Sequence, residues 1–136
     1  MEESEKQGLC SLMRVCLEEN FEHYSEDHTV EAGSHGNRGV WLVYCVGSMN
    51  TSNMMRTLRF DLNIREDNCH IAWFIVPEKL RRRGIGTQLY GALEEFCRKK
   101  GLTKIEVDAS GEEPKFYEVV GMKSSGSSIE MVKYLK

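Results

Sequence analysis

The sequence predicts an α/β domain with a mixed β-sheet flanked by helices, and three observations carry that expectation. An apolar stretch from Cys69 to Val76 runs through a glycine turn at Gly84-Ile85-Gly86 straight into an amphipathic helix. A strand follows, in which Ile105, Val107 and Ala109 alternate with Lys104, Glu106 and Asp108. The chain has 136 residues, 40% of them hydrophobic and 29% charged, which suits one core and a single domain over 1–136.

In chain order, Leu9, Leu12, Met13, Cys16, Leu17 and Phe21 recur at three- and four-residue steps and predict a helix from about Ser4 to about Tyr24. Ser25 to Arg38 is polar and reads as a partner-facing loop, with at most a short strand at Thr29 to Ala32. Val40 to Val46 and Met54 to Ile64 flank a turn-like stretch from Gly47 to Asn53 and predict an antiparallel hairpin. Cys69 to Val76 is apolar almost throughout, as a central strand covered on both faces would be.

Ile85, Leu89, Ala92, Leu93, Phe96 and Cys97 mark the second helix, which ends in Arg98, Lys99, Lys100 and Gly101 as helix C-termini do. Pro114 to Val120 predicts a short helix stopping at Gly121, and Ile129 to Leu135 a last strand.

No apolar run approaches the roughly 20 residues of a membrane span, and the acidic start does not resemble a signal peptide, so a cytoplasmic protein is expected. Cys10, Cys16, Cys45, Cys69 and Cys97 sit in apolar patterns without a C-x-x-C pair and read as reduced, packed thiols. His23, His28 and His35 match no ligand spacing, so no metal is expected. The net charge of -3 disfavours a nucleic-acid reader, the run Lys79 and Arg81 to Arg83 being the feature in its favour.

The chemistry concentrates where Arg81-Arg82-Arg83-Gly84-Ile85-Gly86-Thr87 joins the apolar strand to the second helix. Free N–H groups at the helix start, the positive end of its dipole and glycines without Cβ atoms suit a phosphate, with the arginines adding charge. A P-loop is excluded because no Lys-Ser or Lys-Thr pair ends a suitable glycine run, and the dinucleotide fingerprint fails at Leu89, where its third glycine belongs.

These residues resemble the signature of the GNAT acyl-CoA N-acyltransferase superfamily: Arg or Gln, two residues, Gly, one residue, then Gly or Ala, matched by Arg81, Gly84 and Gly86. Upstream, Phe74-Ile75-Val76-Pro77 resembles the family's cofactor strand, and downstream Phe116-Tyr117 followed by Gly121 resembles its Phe-Tyr-x-x-x-Gly element; together the likeness spans about residues 69 to 135. The resemblance implies a GNAT-like fold and an N-acetyltransferase that moves the acetyl group of acetyl-CoA to a primary amine in a ternary complex.

It further implies that backbone groups of Phe74 and Val76 pair with pantetheine, and that the pyrophosphate lies over the N–H groups of Arg82, Arg83, Gly84, Ile85, Gly86 and Thr87 with Arg81 or Arg83 beside it. An N–H at Phe74 or Ile75 becomes the oxyanion donor, and Tyr117 the acid that protonates the departing thiolate. His70, eleven residues before Arg81, takes the place where several members carry a general base.

Ser110 stands where the family often has a cofactor-side asparagine, Met122 replaces a phenylalanine, and the usual first strand before the first helix is missing or reduced. A non-catalytic acyl-CoA sensor is the rival reading. The acceptor amine, the acyl-chain preference and the oligomeric state are not written in the sequence; a homodimer is compatible with it. Acceptor choice is expected of Ser25 to Arg38, Gly47 to Asn53 and Lys123 to Ser128.

Overall fold

A computed structural model describes residues 2–47, 57–109, 113–126 and 129–135. Its elements are α1 (Glu3–Asn20), β1 (Thr29–Ser34), β2 (Val40–Cys45), β3 (Arg59–Arg65), β4 (Asn68–Ile75), α2 (Ile85–Lys99), β5 (Lys104–Asp108), α3 (Glu113–Val119), β6 (Lys123–Ser124) and β7 (Glu130–Tyr134). The strands form one mixed sheet in the order β1-β2-β3-β4-β5-β7-β6, in which β4 and β5 are parallel and the other neighbours antiparallel.

Helices α1 and α2 pack against each other on one face of the sheet. Leu9, Met13, Cys16 and Leu17 of α1 and Leu89, Tyr90, Ala92, Leu93, Phe96 and Cys97 of α2 are buried, and they share a core with Leu42, Tyr44, Phe60, Leu62, Cys69 and Ile71 from the strands. Each large apolar side chain so buried contributes roughly 1.5–3 kcal/mol, which is why the helical spacing was readable in both segments. Gly101, at φ 77°, ends α2, and the Leu102 N–H donates back to the Cys97 carbonyl at 2.9 Å.

Four expectations need correction. The apolar spacing of α1 continues to Phe21, yet the helix stops at Asn20: Phe21 adopts an extended backbone and turns its ring edge-on to buried Tyr44. The short strand offered at Thr29 to Ala32 within the polar segment is present and runs on to Ser34, a six-residue edge strand paired in full register with β2. Lys123 and Ser124 form a short strand beside β7 where only a polar tail was expected. The turn between β2 and β3, the first residues of its returning strand and Ser110 lie outside the described residues.

The fourth correction concerns β4. It is the central strand, but it is not covered on both faces, because Ala72 is exposed and Trp73 retains 46% of its surface. Asp61 pairs with Trp73 and Leu62 with Ile71, so Ala72 is an extra residue, a bulge that puts the side chains of Ala72 and Trp73 on the same face. The parallel pairing with β5 ends at the same level, with Ile71 opposite Val107. Beyond that pair the two strands part, leaving a fork at the centre of the sheet. No described strand precedes α1.

Candidate functional site

The fork opens into a cavity of about 660 Å³ that runs from β4 to the start of α2 and the inner side of α3. One wall is the β4 segment Ile71 to Val76; the other is formed by Val107 and Asp108 of β5 with Phe116 and Tyr117 of α3. A β4 edge left unpaired by β5 carries backbone donors and acceptors that need partners, as any strand edge does.

At the far end of the cavity, Gly84 caps α2 at φ 76° and ψ 4°, a left-handed conformation that glycine adopts without strain. A Cβ at Gly84 would point into open space, so the turn keeps a clear approach to the helix start. The first N–H groups of α2 have no acceptor within the helix, and the dipole of a 15-residue helix adds partial positive charge there. Arg82 is also left-handed, at φ 66°, an arrangement that costs a non-glycine residue about 1–2 kcal/mol.

Gly86 serves a contact beyond the one its place in the turn suggested. A Cβ there would lie 3.1 Å from the Phe116 ring, so the missing side chain also seats α3 against α2. Arg81 also differs. Its Nε donates to the Val76 carbonyl at 2.9 Å and ties the strand end to the turn, using one of the two lone pairs of a carbonyl expected among the backbone groups open to a ligand. Arg81, Arg82, Ile85 and Thr87 line the cavity with Gly84 and Gly86, whereas Arg83 is exposed outside its lining.

Tyr117 is buried, at 4% exposure, and lies against the cavity. A continuous row of rings holds it there. Phe60 stacks beside Phe74 at 6.4 Å, Phe74 meets Phe116 at 5.5 Å and Tyr117 at 6.4 Å, and Phe116 meets Tyr117 edge-on at 5.2 Å. Phe74 therefore faces the helices, while Ile75 faces the opposite side of the sheet and is buried there.

His70 sits on the open face of β4, next to Glu106 in register, and its Nε2 is 3.7 Å from Asp108 Oδ2. It is not among the residues that line the cavity; Asp108 is. Sequence reasoning missed Asp108 and Trp73. Asp108 was one of three charged residues alternating along β5, and Trp73 was one apolar residue in an apolar run, so neither carried a signal of its own.

His28 and His35 are engaged elsewhere, with the Tyr44 hydroxyl and the Asn63 side chain respectively, and the described residues contain no group of three His, Cys, Asp or Glu able to hold a metal. None of the five cysteines is paired in a disulfide, four of them are buried, and burial raises Cys16 to about 11.

A parallel pair of strands forked at mid-sheet, a glycine-capped helix at the end of the cleft and a tyrosine set over it define an acyl-CoA-transferase fold. The chain belongs to the GNAT acetyltransferase family, whose model matches residues 7–122. Among solved structures it resembles PaiA N-acetyltransferase from Thermoplasma acidophilum in complex with coenzyme A (19% identity, TM-score 0.56), covering 70% of this chain and 61% of that one. It also resembles an acetyltransferase from Bacillus cereus (19% identity, TM-score 0.57, 76% and 80% covered) and Tetrahymena GCN5 (11% identity, TM-score 0.56, 96% and 88% covered). At these identities the likeness is one of fold, and the chain spans less than two thirds of the PaiA enzyme. No curated protein sequence matches the chain.

Proposed function

We propose that the chain is an N-acetyltransferase that moves the acetyl group of acetyl-CoA to a primary amine by direct transfer in a ternary complex. The observation that carries this reading is the fork: β4 loses β5 as a partner after Ile71 and Val107, and the edge so freed leads to the open, glycine-capped start of α2. The coenzyme A complex of the PaiA enzyme, which shares the fold, supports acyl-CoA as the ligand.

In this reading the N–H groups of Gly84 to Thr87 and the Arg82 guanidinium hold the pyrophosphate, and the β4 edge at Phe74 and Ile75 hydrogen-bonds the pantetheine amides. A β4 N–H, at Phe74 or Ile75, stabilises the oxyanion formed when the amine attacks, and Tyr117 supplies a proton to the departing thiolate. His70 takes the proton that the amine must lose. Ser110, outside the described residues, keeps its proposed place on the cofactor side. Tyr117 acts from a fixed position because Phe74 and Phe116 pin its ring.

The test is calorimetric titration of acetyl-CoA, CoA and ATP into the wild type and Gly84→Trp, followed by an amine-acceptor screen. Micromolar acetyl-CoA affinity, lost in the variant and absent for ATP, is expected. Binding without transfer to any amine would reduce the protein to an acyl-CoA-binding module, and no binding at all would end the acyltransferase reading.

A further inference from the structure

We infer that Asp108 receives the acceptor, and that the acceptor enters as an aliphatic ammonium rather than a neutral arylamine; the inference rests on the fork being the acetyl-transfer site. The cavity is electrically polarised along its length. Among the described residues, its charged lining consists of Arg81 and Arg82 near α2 and Asp108 at the mouth of the fork. The arginine end suits an anionic donor, and the carboxylate end suits a cation.

Other acidic groups share the open face of the sheet, so the choice of Asp108 needs an argument. Asp61 is gripped through both oxygens by Arg59, at 2.6 and 2.9 Å. Glu106, in register with His70, lies 3.5 Å from Lys104 Nζ. Glu130, opposite Asp108 in β7, accepts from the Ser125 hydroxyl at 2.9 Å. Asp108 keeps 58% of its side-chain surface and has His70 as its ion-pair partner among the described residues. An imidazole in its neutral form leaves that carboxylate without a cation, and Glu130 beside it deepens the negative field.

The geometry also assigns His70 its part. His70 stands behind Asp108, outside the lining, with its Nε2 close to the carboxylate oxygen. An ammonium bound to Asp108 is thus brought beside a proton acceptor. One N–H proton passes from the ammonium to the unprotonated ring nitrogen of His70 and then to solvent, and the imidazolium formed is stabilised by Asp108. The freed lone pair forms the C–N bond at the thioester carbonyl. As the C–S bond breaks, the second N–H proton replaces the one that Tyr117 gives the thiolate. Trp73, across the fork from Asp108, offers an indole surface against which an alkylammonium packs favourably. A neutral arylamine can donate a hydrogen bond to the carboxylate but brings no charge to pair with it.

The experiment is steady-state acetyl transfer to aliphatic diamines and to arylamines, with acetyl-CoA affinity measured separately by calorimetry. Asp108→Asn is expected to raise KM for the diamines at least tenfold, to change KM for arylamines several-fold less, to leave the acetyl-CoA affinity within twofold of the wild type, and to be largely rescued by Asp108→Glu. His70→Ala should instead lower kcat with little change in KM. Equal effects on both amine classes, no effect on either, or a wild-type preference for arylamines would overturn the inference. Acetyl-CoA binding with no transfer to any amine would overturn it too, whereas failure to bind acetyl-CoA would locate the fault in the underlying reading.

Discussion

The Tyr44 hydroxyl lies 2.7 Å from His28 Nδ1, and the Ser25 N–H points at the same nitrogen from 3.4 Å. Both partners make Nδ1 an acceptor, so the neutral imidazole carries its proton on Nε2. Burial, with Arg14 acting in the same direction, holds His28 below the ordinary histidine value, while Asp27 opposes it. The unfolded chain therefore binds a proton more readily than the native one. The contribution of His28 is complete above about pH 6.5 and is lost as the pH falls below that. The urea midpoint should drop between pH 7.5 and 5.5, and by less in His28→Asn, whose side-chain oxygen replaces the Nδ1 acceptor. An equal drop in both proteins would locate the pH dependence elsewhere.

Tyr117→Phe keeps the ring that packs between Phe74 and Phe116 and removes the hydroxyl alone. We expect kcat to fall about 100-fold, the low end of general acid catalysis, with the acetyl-CoA affinity unchanged. A loss confined to KM would assign the hydroxyl to binding.

Arg59 is only 7% exposed and relies on the bidentate Asp61 carboxylate beside it. Asp61→Ala leaves a buried guanidinium without its partner and should cost about 3 kcal/mol in urea unfolding. The double replacement Arg59→Met with Asp61→Leu, which removes the charge as well, should lose less than the single variant. If it loses more, the pair stabilises the sheet in its own right.

Alkylation distinguishes the thiols. Cys16, Cys45, Cys69 and Cys97 are buried; burial raises Cys16 to about 11, and a thiol hydrogen bond with Cys69, together with burial, pushes Cys97 up as well. Iodoacetamide at pH 8 should label the native protein at Cys10 alone, slowly because that thiol is raised too, and all five cysteines in urea. Mass spectrometry of the intact chain reads both counts.

The sequence made the second helix and its glycine turn legible because burial imposes a period and Gly84 imposes a backbone. Where those constraints slacken, the reading failed. Only the first part of β1, Thr29 to Ala32, was legible because an edge strand needs few apolar residues: Val30 and Ala32 face the core, while Gly33 and Ser34 fit a strand or a loop equally well. The end of α1 was hidden because Phe21 is buried although it lies beyond the helix, so its apolar spacing extends the helical pattern by one residue. Asp108 and Glu106 were indistinguishable along their strand, and what separates them is the position of the fork, a relation between two strands that neither one carries.

The bulge at Ala72 sets a limit on improving this protein. Deleting that one residue would restore regular alternation along β4, keep Phe74 opposite Phe60, and let the strand continue beside β5. The result would be a better sheet and a worse receptor, since the added ladder bonds would occupy the edge that a ligand needs. Stability and an open edge pull in opposite directions at this one residue, so a variant chosen for stability alone should be expected to close the edge that the bulge leaves free.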